Sequence, residues 1–238
     1  TLSKTSGVVT GDNLTCSATA TDADGESPTL SYAWRRVRGS SNTNISTGPS
    51  ITLNNTTWQP GDTVICRATA TDGYSGTSNL STSTTITNSL PIISSVSITP
   101  NTNVKTNTAL TCAGVATDPD NSGTLNWSYV WTNTTTSTAL GTGSTITLNN
   151  SDTSPSDTVE CKATVVDADG GTADDSTTVS ILNSNPVFTT HSISPNSSIS
   201  TSDLLTCSAT ATDPDGDTPT ITWAWSNTTQ GTSLGTNK

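Results

Sequence analysis

Cys16-Ser17-Ala18-Thr19-Ala20-Thr21-Asp22-Ala23-Asp24-Gly25 is the stretch on which the reading of this chain turns. Its alternation puts Cys16, Ala18 and Ala20 on one side of an extended segment and Ser17 and Thr19 on the other, the period-2 mark of a strand with one covered face. The closing Asp-x-Asp-Gly reads as a turn, because Asp bonds back to nearby amides and Gly takes a positive φ without strain. The stretch recurs four times. Cys66 leads into Ala68, Ala70 and Asp72-Gly73, and Cys112 into Ala116 and Asp118-Pro119-Asp120. Cys161 leads into Ala163 and Asp167-Ala168-Asp169-Gly170, and Cys207 into Ala209, Ala211 and Asp213-Pro214-Asp215-Gly216-Asp217.

The cysteines fall 50, 46, 49 and 46 residues apart, so the period is 96 and then 95 residues. A period of that length is a repeated domain. Leu2 aligns with Ile98 and Ile193, and Leu14 with Leu110 and Leu205. Trp34, Trp131 and Trp225 follow the first Cys of each unit by 18 or 19 residues. Between units stand Asn88-Ser89-Leu90-Pro91 and Asn183-Ser184-Asn185-Pro186, where proline disfavours helix and strand pairing. The predicted units are 1–88, 89–184 and 185–238. Thr1 aligns with Ser97, so the first unit lacks the start of its first strand. The third stops short of the strand that residues 50–53 and 145–148 supply elsewhere.

Composition agrees with an all-β chain. Ser and Thr make up 90 of the 238 residues, and only Glu26 and Glu160 are Glu among the 19 acidic residues. Asp and Ser suit turns where Glu suits helices. The low hydrophobic content, 29%, would point to disorder if the apolar residues were scattered. Instead they recur at fixed offsets: Leu30, Tyr32 and Trp34; Ile51 and Leu53; Val64, Cys66, Ala68 and Ala70, and the same again in the second unit. A net charge of −11 repels phosphate backbones and argues against nucleic-acid binding. No run of 18 or more apolar residues marks a membrane span.

Two mid-strand cysteines about 50 residues apart with a tryptophan between them, Cys16…Trp34…Cys66 and Cys112…Trp131…Cys161, make a sandwich pattern. With the Asp-x-Asp-Gly turns, it resembles the tandem immunoglobulin-like (cadherin-like or PKD-like) domains of bacterial and archaeal surface proteins. The chain departs from antibody-type domains where Val64 and Val159 stand two residues before the second cysteine, the place of a tyrosine corner. The resemblance implies an all-β fold of immunoglobulin-like β-sandwiches joined end to end. It implies disulfides Cys16–Cys66 and Cys112–Cys161 stapling thin, Ala-rich cores, and an oxidising, extracellular location. Cys207 is left with a partner outside this segment.

In such a topology the acidic turns crowd at the pole facing the preceding domain. Asp22, Asp24, Asp72, Asp118, Asp120, Asp167, Asp169, Asp213, Asp215 and Asp217 are therefore candidate ligands for Ca²⁺ at interdomain junctions, a hard cation that takes six to eight oxygens. The other reading of the same residues is that Asp and Gly simply make good turns. Asn54, Asn133, Asn149 and Asn227 are candidate N-glycosylation sites. Trp58, in a loop, and Tyr74, in a turn, have no counterparts in the second unit and are candidates for contact with a partner or glycan. His191 stands next to a linker with no apparent nucleophile partner, and no H-E-x-x-H, G-x-S-x-G or phosphate loop occurs. The expectation is a non-enzymatic segment of a cell-surface stalk, fibre or filament whose partners are further repeats of the chain or of neighbouring copies, joined in the sharpest version by strand addition. The alternative is an adhesin or receptor segment that binds through exposed loops.

Overall fold

The computed structural model describes residues 1–121 and 123–236. Every regular element among the described residues is a strand. The first repeat holds β1 (Asn13–Thr15), β2 (Thr29–Arg38), β3 (Ser41–Thr47), β4 (Ser50–Thr52), β5 (Thr63–Thr71) and β6 (Thr77–Thr85). They form an antiparallel four-stranded sheet in the order β3-β2-β5-β6 and a short sheet β1-β4. Leu14 pairs with Ile51 in the small sheet, and Trp34 with Cys66 in the large one. Leu2 extends the small layer by an antiparallel bridge to Cys16, and Val8 forms a parallel bridge to Ile86, just past β6 of the large sheet. The Cys16–Cys66 disulfide joins the two layers across a Cα separation of 6.3 Å. Trp34 is fully buried, and its indole N–H donates to the Gly48 carbonyl at 2.9 Å, which satisfies the one polar atom that its burial would strand.

The second repeat follows the same plan with β7 (Ile92–Thr99), β8 (Ala109–Thr117), β9 (Asn126–Asn133), β10 (Thr138–Thr142), β11 (Thr145–Thr147), β12 (Thr158–Val166) and β13 (Thr172–Ser180). Its sheets run β10-β9-β12-β13 and β11-β8-β7. Cys112 and Cys161 are bonded across 6.5 Å between Cα atoms, and buried Trp131 donates to the Gly143 carbonyl at 2.9 Å. Where the first repeat has Ala18 and Leu30, the second has Gly114 and Trp127. A Cβ at Gly114 would stand 2.2 Å from the Trp127 ring, so the larger aromatic is admitted only because the facing residue has no side chain. The third repeat contributes β14 (Val187–Ser194) paired with β15 (Thr206–Thr212), and β16 (Trp225–Asn227) paired with β17 (Thr232–Gly235). Val187 and Phe188 there stay mostly exposed.

The chain gathers into two compact units. One is Thr1–Val96 with Gly114–Ser128 and Ala163–Asp175; the other is Ser97–Ala113 with Tyr129–Lys162 and Ser176–Lys238. The first has a core built on Leu14, Trp34, Leu53, Val64 and Ile86. The second is centred on Leu110, Trp131, Leu148, Val159 and Ile181, all buried.

Two expectations change. The strand predicted through Ala20 stops at Thr15: Cys16 makes only a bridge, Ala18 is half-buried and Ala20 is exposed. Past Cys16, Ser17 N donates to the Thr1 carbonyl at 2.9 Å. Trp58 is not a surface contact. Its loop curls back through Trp58 N to Asn54 O at 3.0 Å, and the ring is wholly buried in the core.

Candidate functional site

The acidic turns share one construction. The first Asp of each Asp-x-Asp accepts the amide of the third residue: Asp24 N to Asp22 Oδ1, Asp120 N to Asp118 Oδ1 and Asp215 N to Asp213 Oδ1, each at 2.8 Å. Asp169 N bonds Asp167 Oδ1 at 3.0 Å in the same way, and Asp72 Oδ1 takes Tyr74 N at 2.8 Å. The residue that ends the turn has positive φ: Gly25, Asn121, Gly170 and Gly216. The first carboxylate thus shapes the loop, and the third residue is left to point outward.

In two of the turns that third carboxylate is buried and meets the preceding repeat. Asp120 is 1% exposed. Its Oδ1 accepts the Thr10 hydroxyl, and its Oδ2 accepts the Ser89 backbone N–H at 2.6 Å. The neighbouring Pro119 carbonyl accepts the Asn55 amide at 3.0 Å. All of these residues lie in the first compact unit. The second unit repeats the arrangement one period on. Asp215 is 6% exposed, its Oδ1 accepts the Thr106 hydroxyl at 2.5 Å and its Oδ2 the Ser184 N–H at 2.5 Å, while the Pro214 carbonyl accepts Asn150 Nδ2 at 3.3 Å. A third acidic turn joins the first clasp, where Asp167 Oδ2 accepts Asn88 Nδ2 at 3.0 Å. A buried carboxylate is tolerated only when its oxygens are filled with donors, and here they are.

Titration follows from this. Burial works against the Asp215 carboxylate, but the hydrogen bonds from Thr106 and Ser184 and the charge of Lys105 outweigh it and hold its pKa below the ordinary value. Asp167 behaves alike: burial opposes ionisation, and Asn88 with the amides of Gly171, Asp169 and Gly170 overcomes it. Both groups bind fewer protons folded than unfolded. Their contribution is complete above the ordinary carboxylate pKa of about 4 and is lost as pH falls through the lower folded values. Thermal unfolding measured from about pH 7 to about pH 2 is expected to hold level and then fall below about pH 4. An unchanged melting temperature throughout would contradict it.

The other candidates separate on inspection. Asp22 is half-buried and Asp24, Asp169 and Asp217 are exposed. Among the described residues no group of three or more His, Cys, Asp or Glu side chains is placed to hold a metal ion. A calcium ion at the joints would have to take oxygens that Thr10, Ser89, Thr106 and Ser184 now hold. Asn133 is not open to glycosylation: it is fully buried, donating to the Asp152 carbonyl at 3.0 Å and to Asp157 Oδ2 at 2.7 Å. It closes the loop before β12, as Arg38 does before β5 by donating to both oxygens of Asp62 at 2.7 and 2.6 Å. Asn54 and Asn149 are exposed, and Asn227 is half-buried. Tyr74 is 83% exposed. Cys207 is a half-buried free thiol on β15. No described helix is long and apolar enough to cross a membrane.

No family model matches the sequence, and no curated protein matches it. Among solved structures, the chain is similar to the fibronectin(III)-like modules of Clostridium thermocellum CbhA, with 16% identity over 76% of this chain and 94% of that one, at a TM-score of 0.29. It is similar to the amphioxus IgVJ-C2 molecule, with 11% identity over 73% and 98%, at 0.34. It is also similar to a tetra-tandem repeat in the extending region of a large adhesion protein, with 14% identity over 91% and 63%, at 0.37. The paired sheets, the disulfides between them and the buried tryptophans define tandem immunoglobulin-like β-sandwiches.

Proposed function

We propose that this chain is a structural segment of an extracellular tandem-repeat protein, a stalk, fibre or filament at a cell surface, in which each repeat is fastened to the one before it. The observation that carries the proposal is the recurrence of one clasp, Thr10–Asp120–Ser89 and then Thr106–Asp215–Ser184, at the same place in successive repeats. Fixed joints are what a load-bearing spacer needs. Disulfides suit an oxidising space outside the cell, and repeats that touch chiefly their neighbours suit a spacer. Small-angle scattering of the chain and of Asp120→Ala/Asp215→Ala tests it: the double variant is expected to scatter as a more flexible particle. Indistinguishable curves would sink the proposal. Repeating the measurement in chelator and in calcium separates a hydrogen-bonded joint, which is indifferent to both, from one that binds Ca²⁺.

The adhesin reading rests on Tyr74, a large aromatic held in solvent at a turn; adhesion that survives Tyr74→Ser would count against it. Cys207 and the exposed face of β14 and β15 fit completion by a cysteine-bearing strand of a further segment or a neighbouring copy. Peptide mapping without reductant would identify that cysteine, and a thiol that stays free would exclude the pairing.

A further inference from the structure

We infer that the Asp22-Ala23-Asp24 turn, with the Asp72 turn beside it, is a docking socket for the trailing end of another repeat of this kind, which presents a Thr hydroxyl, an Asn side-chain amide and an Asn-Ser-x-Pro strap. The inference rests on reading the acidic turns as joints, and it extends that reading to a turn that neither of the described joints engages.

The Asp22 turn is built like the two that are engaged. Its Asx bond has the same 2.8 Å length, and Gly25 N closes on Asp22 O at 3.4 Å as Asn121 N and Gly216 N close on Asp118 O and Asp213 O at 3.1 Å. Asp24 therefore holds the place of Asp120 and Asp215. Those two are buried under their donors, whereas Asp24 is exposed.

The neighbouring turn matches as well. Asp72 Oδ1 takes Tyr74 N and Gly76 N at 2.8 and 2.7 Å, as Asp167 Oδ1 takes Asp169 N and Gly171 N at 3.0 and 2.7 Å. In the second repeat the strap lies over this second turn. Asn88 bonds Asp167, and a Cβ at Gly171 would stand 2.5 Å from Asn88 Nδ2 and 3.1 Å from Leu90 Cδ2. In the first repeat the corresponding place, between the two turns, is an open cleft of about 210 Å³ lined by Asp22, Pro28, Ala70, Asp72, Gly76 and Thr77. Acceptors and strap seat are thus both formed.

The occupant is a further repeat. The trailing ends of the first and second repeats are already held by Asp120 and Asp215. In each clasp the strap leads directly into the repeat that receives it, so the partner is a repeat presented in register ahead of Thr1.

A chain with a second copy of residues 1–96 fused directly ahead of Thr1 keeps this register, because Thr1 stands where Ser97 does. In the fused chain, Asp24→Ala in the original first repeat is expected to lower the melting temperature by several degrees. It is also expected to speed hydrogen exchange at the Ser89 amide of the added copy by about tenfold or more. In the 238-residue chain the same substitution is expected to leave melting unchanged. If Asp120→Ala acts in the fused chain and Asp24→Ala does not, the socket is refuted and the joints stand. If neither acts, the reading of the turns as joints falls with it.

Discussion

Asp120→Ala is expected to weaken the first joint by about 2–4 kcal/mol, through the loss of charge-assisted bonds and the stranding of their donors. The carboxylate fills three donors, the Thr10 hydroxyl, the Ser89 hydroxyl and the Ser89 N–H. Thr10 is itself 7% exposed, so with the acceptor gone it has little access to water that could replace it. Asp120→Asn keeps one oxygen and should recover part of the loss. Hydrogen exchange at the Ser89 amide reads the joint directly, and calorimetry reads its share of stability. An amide as protected in Asp120→Ala as in the parent would show that the clasp carries no weight.

Removing the first disulfide is expected to cost on the order of 4 kcal/mol, the loop-closure value for cysteines about 50 residues apart. The chain depends on it because its core is narrow. Where a larger domain would pack Phe and Leu, this one places Cys16 and Ala68 on its inner faces, and thin cores need covalent help. Cys16→Ala/Cys66→Ala followed by denaturant unfolding is the measurement, with the fluorescence of buried Trp34 and Trp58 as the signal. A midpoint equal to the parent's would show that packing alone holds the sandwich.

Much of this architecture was legible because its signals are local. Alternation around Cys and Trp fixes which side chains face inward, and Asp with Gly two or three residues on marks the turns. The partners of those turns were not legible. Thr10 is one hydroxyl among 90 Ser and Thr residues, and nothing in its surroundings singles it out. Only its equivalence to Thr106 one period later, and of Asn55 to Asn150, could have pointed to a shared task. Trp58 and Asn133 mislead for a common reason. Trp58 sits in a polar loop and Asn133 at the last position of β9, both in surroundings that read as exposed, yet the chain folds back there on its own hydrogen bonds and carries both side chains inside.

The disulfides also set how a pulled chain would give. Tension along the backbone loads the hydrogen-bonded clasps and the sheet edges, both of which can part and reform. It cannot pay out the chain held between Cys16 and Cys66, or between Cys112 and Cys161, separations of 50 and 49 residues. About half of each of the first two repeats therefore stays looped when the rest is drawn straight. A tether of such repeats lengthens by short, bounded steps and retains a knot of covalent structure from which each sandwich can close again.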